Sequence, residues 1–431
     1  MKKFFATVLV LFFLAGIALS QQYKYTFVKA FPDTIRAKGN TGIHGLAVDP
    51  EGKVWMQFYG ATDSIFDGNR MRATRVIYVY KPDGTPAPFS PIKTLTIGSR
   101  KDTLYNSGRG LRADNNGNIL ACFYNTMYRI NYKTGAGMNW FTPKDSNTLI
   151  APAVDKLGEI FVGRVVPGVG PVNILDANFN LLGNAIDTSV GYSRTIEVSA
   201  DGNDVYWCGY TNMALWRYHS DYGSLGPYAC GKNDTLLMGM AIESAGWNYK
   251  TGILYVSAGH TAYNPPVGWS ILTWYGWDPK TNKIVDSIKW NSLVSPGDTR
   301  PRAIAFSLTG DTVYIGCFGA STYAAVQMFR RTAVGVQPDN GIIPTAFTLS
   351  QNYPNPFNPS TEIRFTLERS GMTTLKVYDV LGREVATLVN ETLTAGAYRT
   401  TFNASNLPSG TYFYVLTAGS NRLSNKMLLV K

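Results

Sequence analysis

One short pattern recurs six times between residue 23 and about residue 331: a strand-like run, a tight turn closed by glycine, then a second, aromatic-rich run. It first appears as Gly45-Leu46-Ala47-Val48-Asp49-Pro50-Glu51-Gly52-Lys53-Val54-Trp55 and returns as Gly110-Leu111-Arg112-Ala113-Asp114-Asn115-Asn116-Gly117-Asn118-Ile119-Leu120. Further copies occupy 151–161, 195–207, 240–255 and 303–315. The turn glycines fall at 52, 117, 158, 202, 252 and 310, spaced by roughly 40–65 residues. That interval suits four-stranded units arranged radially, each burying its faces against its neighbours. Third strands follow most copies, as in Val76-Ile77-Tyr78-Val79-Tyr80 and Ala214-Leu215-Trp216-Arg217-Tyr218, and outer strands include Lys93-Thr94-Leu95-Thr96 and Val285-Asp286-Ser287-Ile288. The sixth copy has only three strands, while Tyr25-Thr26-Phe27-Val28-Lys29 has no unit of its own; pairing the two closes a ring without an open edge. The expectation is an all-β, six-bladed β-propeller over 21–331. Seven blades are the alternative if the stretch between the first two glycines hides another.

The final segment has a different character. It opens Phe347-Thr348-Leu349-Ser350-Gln351-Asn352-Tyr353-Pro354-Asn355-Pro356-Phe357-Asn358-Pro359, passes through Val377-Tyr378-Asp379-Val380-Leu381-Gly382-Arg383-Glu384-Val385 and Leu407-Pro408-Ser409-Gly410-Thr411-Tyr412, and ends Lys426-Met427-Leu428-Leu429-Val430-Lys431. Alternating runs such as Glu362-Ile363-Arg364-Phe365-Thr366-Leu367, bounded by turn residues, predict a small Ig-like β-sandwich over 345–431, joined to the body by a linker at 332–344. The motifs and their order resemble the type A C-terminal sorting domain of the type IX secretion system. That resemblance implies export across an outer membrane, the secretion machinery as a partner, and a secreted or cell-surface destination. The body resembles, in architecture alone, the six-bladed propellers that include NHL-type and gluconolactonase-like proteins.

The N-terminus points the same way. Lys2 and Lys3 precede an apolar run from Phe4 to Leu19, and Ala18-Leu19-Ser20 supplies small residues for cleavage, so 1–20 reads as a secretory signal peptide. No later run approaches about 18 apolar residues, and no transmembrane segment is expected in the mature chain. Loss of Lys2 and Lys3 takes the formal charge from +11 to +9. This basic balance suits anionic polysaccharide or lipopolysaccharide, or simply a solvated basic surface; without basic runs, nucleic acid is not an expected partner. Four cysteines make no disulfide framework, and Cys208 with Cys230 is the one bridge to consider.

Aligning the repeats puts His44, Arg109, Ile150, Arg194, Met238 and Arg302 at the start of the innermost strands, around one mouth of the channel. Three arginines there suit a carboxylate or phosphate ligand, or pair with loop aspartates and cap the channel. Three positions deeper stand Ala47, Arg112, Ala153, Glu197, Ala241 and Ala305. Arg112 and Glu197 do not sit unpaired in a dry core: they meet through water or ligand, or each pairs locally. On the same face lie three long loops, 60–74 with Arg70 and Arg72, 163–171, and 259–270 with His260, Tyr263 and Trp269. Asp49, Asp114 and Asp155 are explained by turn formation.

Catalytic residues are not identified. No nucleophile elbow, HExxH motif or phosphate loop occurs. The gluconolactonase-like resemblance implies a channel metal held by carboxylate and Asn ligands; Glu197 alone matches that role, so neither metal nor cofactor is expected. The reading is an exported binding or structural protein for a carbohydrate or anion. The alternative is a lactonase-like or polysaccharide-active hydrolase or lyase using the channel mouth. Deleting 345–431 is expected to leave the body folded and hold the protein in the periplasm of its native host. Cell fractionation that finds the truncated chain at the surface would refute the sorting role.

Overall fold

A computed structural model describes residues 23–32, 42–168, 170–189, 191–259, 266–291, 300–318, 326–333, 337–339, 346–404 and 407–431. The expected signal peptide at 1–20 lies outside the described residues, as do His260 and Tyr263. The chain divides into a body, Tyr25–Arg331, and a C-terminal unit running from Thr332 to Lys431. Among the described residues no helix is long and apolar enough to cross a membrane.

The body is built from antiparallel sheets that follow the repeats. The first holds Ile43–Val48, Val54–Phe58 and Ile77–Tyr80; the second Gly108–Ala113, Ile119–Phe123, Thr126–Ile130 and Gly137–Phe141. The third holds Ala153–Val154, Ile160–Val162, Val172–Leu175 and Leu181–Ile186; the fourth Ser193–Val198, Asp204–Gly209, Ala214–His219 and Thr235–Leu236. The fifth holds Ala245–Asn248, Ile253–Ser257, Thr273–Asp278 and Lys283–Lys289. The sixth joins Arg300–Phe306, Thr312–Phe318 and Val326–Ala333 to Tyr23–Ala30 from the other end of the body.

The turn after each innermost strand explains the repeated glycine. At Gly52, Gly117, Gly158, Gly202, Gly252 and Gly310, φ is +77°, +80°, +86°, +78°, +73° and +71°, the left-handed region that a Cβ disfavours. The aspartates shape the same turns. Asp49 Oδ1 accepts from the backbone N–H of Glu51 and Lys53 at 3.0 and 2.9 Å, and Asp114 Oδ1 from those of Asn116 and Asn118 at 2.9 Å each.

Strand alternation then distributes the core. In Ile119–Phe123, Ile119, Ala121 and Phe123 face the first sheet with Trp55 and Val79, while Leu120 and Cys122 face the third with Ile160 and Val162. In Asp204–Gly209, Val205 and Trp207 meet the third sheet's Phe161, and Tyr206 and Cys208 meet the fifth sheet's Leu254 and Val256. Ile304 and Ile315 pack on Tyr255 and Trp274, and the sixth sheet's Ala303, Ala305 and Tyr314 return to Leu46 and Met56 of the first. Apolar clusters thus lie between successive sheets and between the last and the first, a propeller-like arrangement in which strands are buried on both faces.

Three expectations are corrected. The outer strand expected near 93–96 is instead Thr94–Ile97, paired with Arg100–Thr103 as a separate hairpin, and a second hairpin, Asp63–Phe66 with Met71–Thr74, fills the 60–74 loop. The fifth innermost strand is Ala245–Asn248, not the run around Met240–Glu243. Met238 lies outside it and is exposed. The turn there is one residue longer: Gly252 N–H donates to Asn248 O, four residues back, where the other five turn glycines donate three residues back, so Glu243 and Gly246 stand where His44 and Ala47 stand in the first sheet. The Cys208–Cys230 bridge does not form: all four cysteines are free thiols.

In the C-terminal unit, two four-stranded sheets enclose Ile363, Phe365, Leu375, Val377, Tyr414, Leu416 and Met427, an Ig-like sandwich. Within the expected linker, Gln337–Asp339 pairs with Gly396–Asn403. The Asn-Tyr-Pro motif is anchored by burial: the Asn352 backbone N–H donates to Tyr414 Oη at 2.8 Å, Asn352 Nδ2 donates to Thr361 Oγ1 at 2.9 Å, and Phe357 enters the core.

Tyr23–Ala30 closes the sixth sheet. Tyr25 is buried beside Trp274 and Val313; its hydroxyl donates to Gly310 O and accepts from Asn248 Nδ2 at 2.9 Å. A mature chain starting at Phe31 is expected to lose several kcal/mol, on the order of the ladder and the apolar burial removed. Calorimetry showing unchanged melting would refute the closing role of that strand.

Candidate functional site

The start of each innermost strand opens on one mouth of the body's central channel. His44, Arg194, Thr195, Ser244 and Arg302 line a small cavity there, about 20 Å³, room for little more than one water-sized group. Arg109 belongs to the same cluster: its charge, with those of Arg302 and Arg194, acts on His44. The alignment therefore places Arg109, Arg194, Arg302 and His44 together. It misassigned the fifth sheet, where Glu243 takes the position expected of Met238. The eight-residue offset from the turn glycine lands one residue late there, because that turn is one residue longer.

Aromatic rings hold the guanidinium groups. Arg109 stands 5.2 Å over Tyr59, Arg194 5.6 Å over Tyr210, and Arg302 5.2 Å over Phe318. Arg302 forms a buried ion pair with Glu243, Nη2 to Oε2 2.8 Å. Glu243 was not singled out from the sequence, because the longer turn before Gly252 shifts the repeat's register there. Among the described residues none of these arginines pairs with a loop aspartate. Several donors are without acceptors among the described residues: Arg109 Nε, Arg194 Nε, and Arg302 Nε and Nη1. Burial lowers the pKa of Arg302 to about 10, partly offset by Glu243, and burial also lowers those of Arg109 and Arg194. Burial first, then the three arginines, holds His44 well below the ordinary histidine range, so its ring is neutral at pH 7.

Trp269 is placed elsewhere. Its indole N–H donates to Met238 O at 2.9 Å and its ring packs edge-on to Tyr275 at 5.0 Å, which makes it a loop-packing residue. Arg72 stacks 4.2 Å from Tyr105 and pairs with Asp67 at 3.6 Å.

Deeper in the channel, Arg112 and Glu197 bond directly. Arg112 Nη2 donates to Glu197 Oε1, and Arg112 Nε donates to Pro152 O at 3.1 Å. The side chain thus reaches from the second sheet past the third to the fourth. It lines the cavity at the basic mouth and a second, larger cavity on the turn side. Among the described residues no group of three His, Cys, Asp or Glu is placed to hold a metal. A divalent ion also fits poorly with the donor set: the mouth is cationic and Glu197 is engaged by Arg112.

Residues 351–431 match the family of secretion system C-terminal sorting domains. The protein is an exported all-β protein with a propeller-like body; it is a secreted or cell-surface protein carried by the type IX pathway. Among curated protein sequences none matches this chain. Solved structures with similar folds include PorZ, a bacterial surface component of the type IX secretion system of Porphyromonas gingivalis, at 12% identity and a TM-score of 0.43, covering 94% of this chain and 61% of PorZ. This chain therefore spans about three-fifths of PorZ. A luciferin-regenerating enzyme aligns at 12% identity and a TM-score of 0.47, covering 72% of this chain and 96% of that one. The calcium-binding protein regucalcin of Agrobacterium tumefaciens aligns at 11% identity and a TM-score of 0.45, covering 72% and 95%.

Burial raises the pKa of Glu197 to about 7, against the pull of Arg112. From its ordinary value of 4.5 up to about 7, the folded protein holds a proton that the unfolded chain has released. Unfolding then sheds a proton, and stability falls as pH rises through this window. The expected melting curves show stability declining as pH rises through this window, a slope flattened in Glu197→Gln. An equal slope in wild type and variant would mean that Glu197 does not carry the proton.

Proposed function

We propose that this protein is a six-bladed β-propeller, carried to the cell surface by its sorting domain, whose basic mouth binds the terminal anionic group of a surface polysaccharide or lipopolysaccharide. The proposed division is a signal peptide at 1–20, propeller at 21–331, linker at 332–344 and sorting domain at 345–431. The cyclic order of apolar clusters supports the blade count.

The observation that carries the ligand reading is the set of donors without acceptors among the described residues, on Arg194 and Arg302 around one small cavity and on Arg109 in the same charge cluster. A buried N–H without an acceptor is costly, and a bound carboxylate, phosphate or sulfate supplies acceptors to several at once. The single carboxylate paired with them among the described residues, Glu243, is already engaged by Arg302. The cavity's size admits the charged group and leaves the rest of the ligand to the rim. Cations beside a neutral, buried histidine favour binding over hydrolysis or elimination.

In low salt, dextran sulfate or an acidic oligosaccharide is expected to raise the melting temperature by several degrees, an effect that fades at high ionic strength. Arg109→Gln/Arg194→Gln should remove that response and keep the fold, since both side chains face the mouth. An undiminished response in the double variant would assign it to the general basic surface and refute the site.

A further inference from the structure

We infer that the carboxyl groups of Asp155 and Glu159 share one proton, and that this proton is a latch between the turn of the third sheet and segment 220–230 of the fourth. Acid conditions close the latch and neutral conditions release it.

The other turns show what is different here. Asp49 Oδ2 accepts from the Trp55 indole N–H at 2.9 Å and pairs with Lys53 at 3.1 Å; Asp114 Oδ2 pairs with Arg129 at 2.8 Å. In the third sheet the residue four after the aspartate, the place of Lys53, is Glu159. Asp155 Oδ1 accepts from the Glu159 backbone N–H at 2.9 Å. Its Oδ2 has no donor among the described residues, nor has Glu159 Oε2, and both atoms are buried. The two carboxyl groups lie within hydrogen-bonding reach of each other. Two carboxylates in contact cannot both stay ionised; one proton makes the pair a donor and an acceptor.

The surroundings supply no counter-charge. Asn115 Nδ2, from the second sheet, donates to Asp155 O at 2.8 Å, and Arg129 is engaged by Asp114. Lys156 is exposed, its backbone N–H bonded to Ala200 O at 2.9 Å. The fourth sheet brings Asp201, Asp204 with its partner His219, and Tyr228, whose phenol burial keeps neutral; the fifth brings Tyr249. Burial first, and the Glu159 charge against the pull of the turn's N–H groups, raises the Asp155 pKa from 3.8 to about 6. Between those values the folded chain keeps a proton that the unfolded chain has lost, so the contact weakens as pH rises through this window.

The pair joins two sheets. A Cβ at Gly202 would stand 2.7 Å from Asp155 Oδ2, so the carboxyl lies against the next sheet's turn. Glu159 Oε1 accepts from Ser224 Oγ at 2.6 Å, and Tyr228 Oη donates to Gly202 O at 2.6 Å. Asp155 is 2% exposed and held by its own turn, whereas Glu159 is half-buried. When the proton leaves, Glu159 is the group that swings into water, taking the acceptor of Ser224 with it. The segment it releases carries the exposed Tyr222 and Leu225.

Hydrogen exchange on the mature full-length chain, corrected for the intrinsic pH dependence of amide exchange, reads the latch. Amides of 220–230 should exchange about tenfold faster at pH 7.5 than at pH 5, with a midpoint at about pH 6. Asp155→Asn and Glu159→Gln each put an amide donor where the proton sat, and each should abolish the step and leave slow exchange at both pH values. Ser224→Ala should exchange fast at both. Glu197→Gln, which removes the other buried acid of raised pKa, should keep the step. The inference is overturned if wild-type exchange in the segment shows no step or if either amide variant keeps it. Slow exchange in Ser224→Ala at pH 5, or loss of the step in Glu197→Gln, would overturn it as well.

Discussion

Everything in the body depends on closing a series of sheets whose two faces are both apolar. A sheet such as the second, with Ile119 and Phe123 on one side and Leu120 and Cys122 on the other, has no face suited to water. It needs a neighbour on each side, and so does that neighbour. A linear stack would end on an exposed apolar face and an open edge. Packing the sixth sheet back on the first removes the exposed faces. Recruiting Tyr23–Ala30 as the sixth sheet's outer strand ties the two ends of the body together.

Closure creates a channel, and its lining is uneven. Alanine and glycine would leave it open, but Arg112 crosses it from the second sheet and meets Glu197 on the fourth. Burying both charges is costly unless each finds the other, and the pair sits where neither could keep its hydration. The result is a partition with different chemistry on each side. One mouth has guanidinium groups held on aromatic faces, with Glu243 the paired carboxylate. The other has aliphatic walls, Trp247 and Phe306.

The C-terminal unit has its own core and its own sheets. Its family match assigns it an address rather than a reaction. That division of labour explains why the most recognisable motifs of the chain say nothing about its ligand. Asn352 and Phe357 are fixed by burial within the sandwich, so the motif that stands out in the sequence is partly a packing requirement.

By itself the sequence determined the turns, the alternation and the address. A left-handed glycine, an aspartate that caps its own turn, and a period of two are local rules, readable wherever they occur. They also brought Arg109, Arg194, Arg302 and His44 to one mouth, because a constant offset from the turn glycine becomes a constant height in the channel. The same counting fails by one residue at Gly252, where the turn is longer and Glu243 and Gly246 take the equivalent positions. Only the tertiary structure decided the partners. Arg112 and Glu197 lie 85 residues apart, and Arg302 finds Glu243 from the neighbouring sheet. Trp269 turned to the carbonyl of Met238 in another loop, and Cys208 and Cys230 stayed apart. Such pairings are set by which sheets face each other across a closed ring, and no local pattern along the chain encodes that distance.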